Sequence, residues 1–384
     1  MYWIYSFIIL FLLFLFSNRF NETLKVNIFL IVFFIATSGS YYNGVDWVNY
    51  IYTYSSFYKN DFNQLAMLYE PGYLGLVYFF SRFFEDMHVL YVFNAFVWVV
   101  FFFCSRNVFI ELKANQSLFL LIVYITMGNL LFSGAIRQSF SCVIILFCFL
   151  YGKNISRSRW FFLICISSLF HFSALLLMPF YSILKLELKI FKVKYFVIFY
   201  TLSLLFFLLM PFYYQFLDFI PIIGQKIANS FDRGAQIKIG ITIIIDIVAV
   251  FFLIYIRRKI SNVHSILWYS SLIYFSMHSI FMTFPYAQRL SMYFFPMMIL
   301  FMVANIKKKH LIGLFSFCII TVHVFIAFKD INHEYFSYPY NNPWFYYYTP
   351  NLGSYEIENR AYHTCLVIDL YDERFCRKFM VLGL

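Results

Sequence analysis

Long apolar runs recur along this chain with only short polar turns between them, which leaves little room for anything but a membrane-embedded helical bundle. They lie near residues 2–17, 26–39, 88–104, 117–132, 135–151, 195–213, 239–256, 266–284, 287–305 and 311–328. At about 1.5 Å per residue, helices of this size approach or span a hydrocarbon core roughly 30 Å thick. The charged fraction, 12%, is about half that of a soluble domain. The expected fold is all-α: a polytopic bundle of about 10–12 transmembrane or re-entrant helices, filling residues 1–328 with outer loops at 40–70 and 214–238. A polar, aromatic tail, 329–384, follows it. Residues 2–17 carry no basic flank before them and no small-residue cleavage site after them, and so read as a retained helix.

Charge in the turns sets the orientation. The turns around Lys153/Arg157/Arg159, Lys185/Lys189/Lys192/Lys194, Arg257/Arg258/Lys259 and Lys307/Lys308/Lys309 are strongly basic. Such turns stay on the cytoplasmic side. They also account for much of the net charge of +11, leaving no footprint for a nucleic-acid partner. The 40–70 loop, with Asp46, Asp61 and Glu70 against Lys59, belongs outside with 214–238, the turn near Pro285 and the tail. One segment conflicts with this scheme. Residues 160–184 lie between two basic turns, yet each half is too short to cross alone. They form either a re-entrant hairpin with His171 and Ser173 near its tip, or a single crossing that breaks the charge rule at one end. Residues 69–84 are read as dipping in from outside.

On this topology Asp46, Glu70, Arg137, Gln138, His171, Arg233 and Arg289 all face the outer leaflet. An ionisable group inside an apolar segment is costly and is a functional candidate by default. The bland alternative has Arg137 snorkelling to the interface and His171 hydrogen-bonded in the core. Arginine suits bidentate capture of phosphate oxygens. A carboxylate or imidazole nearby can take a proton from an attacking hydroxyl. The grouping therefore suits a lipid-linked diphosphate leaving a sugar under electrostatic stabilisation. Asp246 is a leftover intramembrane carboxylate, a candidate either for pairing with a basic group or for sensing the cavity; His278 and His323 read as satisfied core histidines. No nucleotide-binding, dinucleotide or metal motif is found, so no cofactor and no metal are expected.

The tail places Tyr335, Phe336, Tyr338, Tyr340 and Trp344 to Tyr348 among prolines. These rings suit either stacking on sugars or an interfacial belt. Cys104, Cys142, Cys148, Cys165 and Cys318 sit in apolar runs as core residues. Cys365 and Cys376 could pair if the tail is extracytoplasmic.

Several motifs carry a resemblance. Gly44-x-Asp46 with Tyr50, Tyr69-Glu70-Pro71-Gly72-Tyr73, Gly134-x-x-Arg137-Gln138 and Phe170-His171-x-Ser173-Ala174 with Pro179 and Tyr181 occur in order. Together they resemble the EpsG family of membrane polysaccharide polymerases, related to the Wzy polymerases of O-antigen and capsule synthesis. A looser match, Gln288-Arg289-Leu290 with Tyr293, follows later. Trp47 after Asp46, and Ser139-Phe140 after Gln138, depart from the pattern in the region expected to hold the acceptor. The resemblance implies a bacterial inner-membrane glycosyltransferase of the GT-C type, joining undecaprenyl-diphosphate-linked oligosaccharides into O-antigen, capsule or exopolysaccharide on the outer face. Arg137 would hold the diphosphate, and His171 would bind it or serve as acid/base. Asp46 would be a base or acceptor ligand and Arg289 a second phosphate clamp. Gln138, Glu70, Ser173 and Arg233 are further substrate-binding candidates. The lipid bilayer and a chain-length regulator are the candidate partners beyond the substrates. Rival readings are a flippase for lipid-linked oligosaccharide, which internal repeats would favour, and a membrane O-acyltransferase acting on the glycan.

Overall fold

The computed structural model describes residues 2–16, 21–39, 46–58, 69–151, 155–185, 192–213, 240–260, 265–281, 289–308 and 311–331. Arg233, Gln288, the pair Cys365 and Cys376 and the aromatic tail lie outside the described residues. What is described is helical, without strands.

The apolar runs become helices α1 (Tyr2–Phe16), α2 (Glu22–Ser38), α5 (His88–Cys104), α7 (Gln116–Met127), α8 (Ile136–Leu150), α11 (Val193–Tyr213), α12 (Ile241–Ile256), α13 (Ser265–Ile280), α14 (Phe295–Asn305) and α15 (Leu311–Ile331). Between them come α3 (Trp47–Tyr58), α4 (Pro71–Ser81), α6 (Arg106–Glu111), α9 (Arg157–Ser168) and α10 (Phe180–Lys185). Start signals are local. The Asn21 side chain accepts from the Thr23 N–H and that of Asn115 from the Leu118 N–H, each satisfying a first-turn donor. Segments of α11 (Val193–Met210) and α15 (Leu311–Phe328) are long and apolar enough to cross a membrane; α5, α7, α8, α12 and α14 are shorter apolar helices. Phe199 and Leu202 on α11, Ile244 and Tyr255 on α12, and Phe317 and Phe325 on α15 are exposed. So many large apolar side chains facing outward is the surface of a protein solvated by lipid.

Two departures from the sequence reading have physical causes. Among the described residues of the run at 287–305, helix begins only at Phe295, after a 3-10 turn at Ser291–Tyr293. Pro296 has no N–H to give to an earlier turn, so it is accommodated at a helix start and not within one. The 40–70 loop contains α3, whose Trp47, Tyr50, Ile51, Tyr54 and Phe57 are buried. Their three- and four-residue spacing is that of one helix face.

The chain divides into two compact units. The first gathers the described residues of Met1–Phe147, Phe161–Leu175 and those from Met302 onward. Its core packs α2 on α5 and α7 on α15. Phe33 meets Phe102, Tyr124 and Phe132 edge-on at 5.7, 5.9 and 5.2 Å, a geometry that favours aromatic rings beyond their buried area. A buried polar strut joins α5 to α8. Trp98 Nε1 donates to Ser139 Oγ at 2.8 Å, Ser139 Oγ to Asn94 Oδ1 at 2.9 Å, and Asn94 Nδ2 to the Phe132 carbonyl at 3.3 Å. The second unit, Cys148–Trp160 and Leu176–Phe301, packs α12 and α11 on α13. Its other core is Phe294, 5.2 Å from Phe149 and 5.1 Å from Phe180.

The segment at 160–184 is not one continuous helix. Helix α9 ends at Ser168, a turn follows, and a 3-10 helix runs Phe172–Leu177 before α10. The chain then passes its own beginning: Trp160 Nε1 donates to the Met178 carbonyl at 3.3 Å, and the Trp160 and Tyr181 rings lie 6.2 Å apart. That is the geometry of a hairpin, with His171 in its turn.

Candidate functional site

The site begins where α7 loses its regular winding. Residues Gly128–Gly134 form a π-helix, and Ala135, at φ −128° and ψ 62°, breaks the run so that α8 starts at Ile136. Single π-turns of this kind gather at functional positions. The break puts Arg137 in the first turn of α8. A cation there opposes the positive end of the helix dipole, so it needs a counter-charge.

Glu70 supplies one. Its carboxylate accepts from Arg137 Nη1 at 2.8 Å, and it is buried. The residues around Glu70 fix it in place. Pro71 opens α4, where its missing N–H is no loss. The next two N–H groups, of Gly72 and Tyr73, both donate to the Leu169 carbonyl at the hairpin turn, at 2.8 and 3.2 Å. Gly72 permits that approach, because a Cβ there would stand 2.7 Å from Leu169 Cβ and 2.8 Å from Leu169 O. Gly72→Ala should therefore separate α4 from the hairpin and cost about 1–3 kcal/mol, as overpacking does. Gly75→Ala, with nothing within 4 Å of the added carbon, should be neutral or up to about 1 kcal/mol stabilising. Thermal midpoints of the two purified variants check the contrast.

Aromatic rings enclose the guanidinium. Arg137 Cζ lies 5.0 Å from the Tyr69 ring centre and 5.8 Å from that of Tyr73, within cation–π range. The Tyr50 hydroxyl reaches Asp46 Oδ2 at 3.5 Å. Tyr50 and Asp46 are both within electrostatic range of Arg137. Among the described residues, two buried polar atoms here have no hydrogen-bond partner, Arg137 Nε and the Tyr73 hydroxyl.

The other side of the site is the hairpin turn. Glu70 Oε1 lies 3.4 Å from the Phe172 N–H, so one carboxylate links the arginine to the backbone beside His171. His171 Nδ1 shares a 2.9 Å hydrogen bond with Ser173 Oγ. Helix α8 holds the turn by a Ser141–Ser167 hydroxyl contact of 2.6 Å and by Phe140 against Phe170 at 5.6 Å.

Of the residues singled out in the sequence, Asp46, Glu70 and Arg137 are thus brought together in the first unit, and Glu70 reaches the backbone of the turn that carries His171 and Ser173. Gln138, next to Arg137, is 3% exposed. Arg289 belongs to the second unit, where its carbonyl caps the turn to Met292 at 3.3 Å. Sequence reasoning passed over the tyrosines as site components, although Tyr50, Tyr69 and Tyr73 stand in the same motifs. It also passed over the Asn94–Ser139 strut, for which a lone asparagine in an apolar run was the available signal.

The second unit holds a separate pair, with its carboxylate buried and its imidazole partly exposed. Asp246 Oδ2 meets His278 Nδ1 at 2.6 Å, the Tyr274 ring stacks on the imidazole at 5.5 Å, and Tyr200 shares a 2.9 Å hydrogen bond with Ser279. The basic partner that Asp246 called for is therefore His278.

The family model described as EpsG family matches residues 24–342 of the chain. No curated protein and no solved structure matches it.

Proposed function

The chain belongs to the EpsG family, and from that premise we propose that it is a membrane glycosyltransferase that polymerises lipid-linked oligosaccharide repeat units. The donor is a glycan on undecaprenyl diphosphate and the acceptor a second such unit, with transfer at the outer face of the bacterial inner membrane in a GT-C-like bundle. The observation that supports this most is the guanidinium of Arg137, held at a helix start between tyrosine rings with one nitrogen unpartnered, on the same carboxylate that reaches the hairpin of His171.

In the reaction an acceptor hydroxyl oxygen attacks the anomeric carbon of the donor sugar. The bond from that carbon to the diphosphate oxygen breaks, and its electron pair leaves with the diphosphate. Arg137 takes up the developing negative charge, an electrostatic role that is worth most where water is excluded. The hydroxyl proton passes to His171 or to Asp46. Ser173, bonded to His171 Nδ1, sets the ring orientation so that the opposite nitrogen is the working one. The resemblance also implies a phosphate role for Arg289.

A deletion strain complemented with the wild-type gene or with His171→Ala tests this, with polymer length read on a gel and protein level by blot. His171→Ala should lower polymerisation about 10²-fold or more, the scale of a lost acid/base group, leaving single repeat units on their lipid or acceptor. Long polymer from the variant would remove His171 from the reaction. Absence of even single repeats outside the membrane would indicate a flippase instead.

A further inference from the structure

Glu70 would be expected to repel a diphosphate, yet it lies against the cation proposed to bind it. Its bond to Arg137 is a single one, Nη1 to Oε2, although an arginine and a carboxylate can form a two-pronged fork. The second oxygen is turned instead toward the Phe172 N–H at 3.4 Å. Arg137 Nε is left without a partner, and so is the Tyr73 hydroxyl, on a residue that is 0% exposed. Buried donors are ordinarily satisfied, and each that is not calls for an explanation, a bound anion or water among them. The Arg137 side chain keeps 18% of its surface exposed, against 7% for that of Glu70.

We propose that Glu70 is an internal placeholder: its carboxylate occupies the anion site of Arg137 while the substrate is absent, and the diphosphate of the lipid-linked donor displaces it. The proposal rests on the polymerase reading and deepens it. A diphosphate offers paired oxygens to the guanidinium fork, where Glu70 offers one, so the exchange favours the substrate. Displacement also releases the carboxylate's hold on the Phe172 N–H, beside His171. Arrival of the donor is thereby coupled to the position of the proposed acid/base group. Glu70 is then a positioning residue that competes with the substrate and does not bind it.

The sign of one substitution decides the matter. Glu70→Gln keeps the size and an acceptor oxygen for the Phe172 N–H but removes the competing charge. Full-length protein in detergent micelles, titrated with inorganic diphosphate and followed by calorimetry, should bind about tenfold tighter in Glu70→Gln than in wild type, the scale of one charge-assisted hydrogen bond no longer broken. Arg137→Gln should bind weaker than either. Affinity that is unchanged or reduced in Glu70→Gln, or no binding by any of these proteins, overturns the placeholder. If Glu70→Gln does not fold, Glu70→Asp, which retracts the carboxylate by one methylene, should still bind tighter than wild type; equal or weaker binding overturns the proposal. Failure of the polymerase reading looks different: Arg137→Gln would then make long polymer in cells whatever the diphosphate titrations give.

Discussion

Arg137→Ala is expected to abolish polymer longer than single repeat units, with a loss of about 10²–10³-fold or more, the scale of removing one donor from the site of developing charge. The substitution takes away the guanidinium that Glu70, Tyr50 and Asp46 all face. It also leaves the buried Glu70 carboxylate without its partner, which is destabilising in itself. Two measurements separate these effects: protein level by blot, and a parallel Arg137→Lys variant. Lysine keeps the positive charge for Glu70 but lacks the planar fork and stacks less well on Tyr69 and Tyr73. Normal protein level with strongly shortened polymer in Arg137→Lys assigns the loss to anion binding. Full-length polymer from Arg137→Ala would show that the residue serves the fold alone.

The second large effect lies in the other unit. Asp246 is 3% exposed and its partner is 2.6 Å away. Removing one member of such a hydrogen-bonded pair costs about 1–3 kcal/mol, because the remaining polar group is left without its partner. Asp246→Ala should accordingly lower the thermal midpoint of the purified protein well below that of Asp246→Asn, whose amide oxygen can still accept from the imidazole. Replacing both members, with Asp246→Leu and His278→Phe together, should recover most of the loss, since an apolar pair of similar volume is often neutral. A single variant as stable as wild type would mean that the pair contributes little to holding α12 against α13.

The helical design was readable because apolar runs and basic turns alternate, and that pattern depends only on local composition. α5 begins and ends where its run does, helped by Asp86, whose side chain accepts from the His88 N–H at 2.9 Å. α3 was hidden because its buried face is written largely in tyrosine and tryptophan within a segment that also carries charge. The convergence of Asp46, Glu70 and Arg137 was legible only as an expectation, drawn from the charge of the turns, that they share one side of the membrane. Their pairing was not, since Glu70 and Arg137 are 67 residues apart and no periodicity spans such a gap. Asp246 announced a need for a partner, but its position in α12 could not choose among the histidines; the packing of α13 made that choice. The role of the glycine in Glu70-Pro71-Gly72 likewise emerges only once Leu169 is seen against it.

The shared carbonyl of Leu169 also bears on how the protein is made. Residues 71–73 leave the ribosome long before residue 169, so for much of synthesis the first N–H groups of α4 lack their eventual acceptor. Unsatisfied donors are costly in hydrocarbon, which favours keeping the start of α4 at the wet interface until the hairpin arrives. Assembly of the site is then a late event in biogenesis: Glu70 reaches its final setting only when a distant part of the chain has been delivered to it.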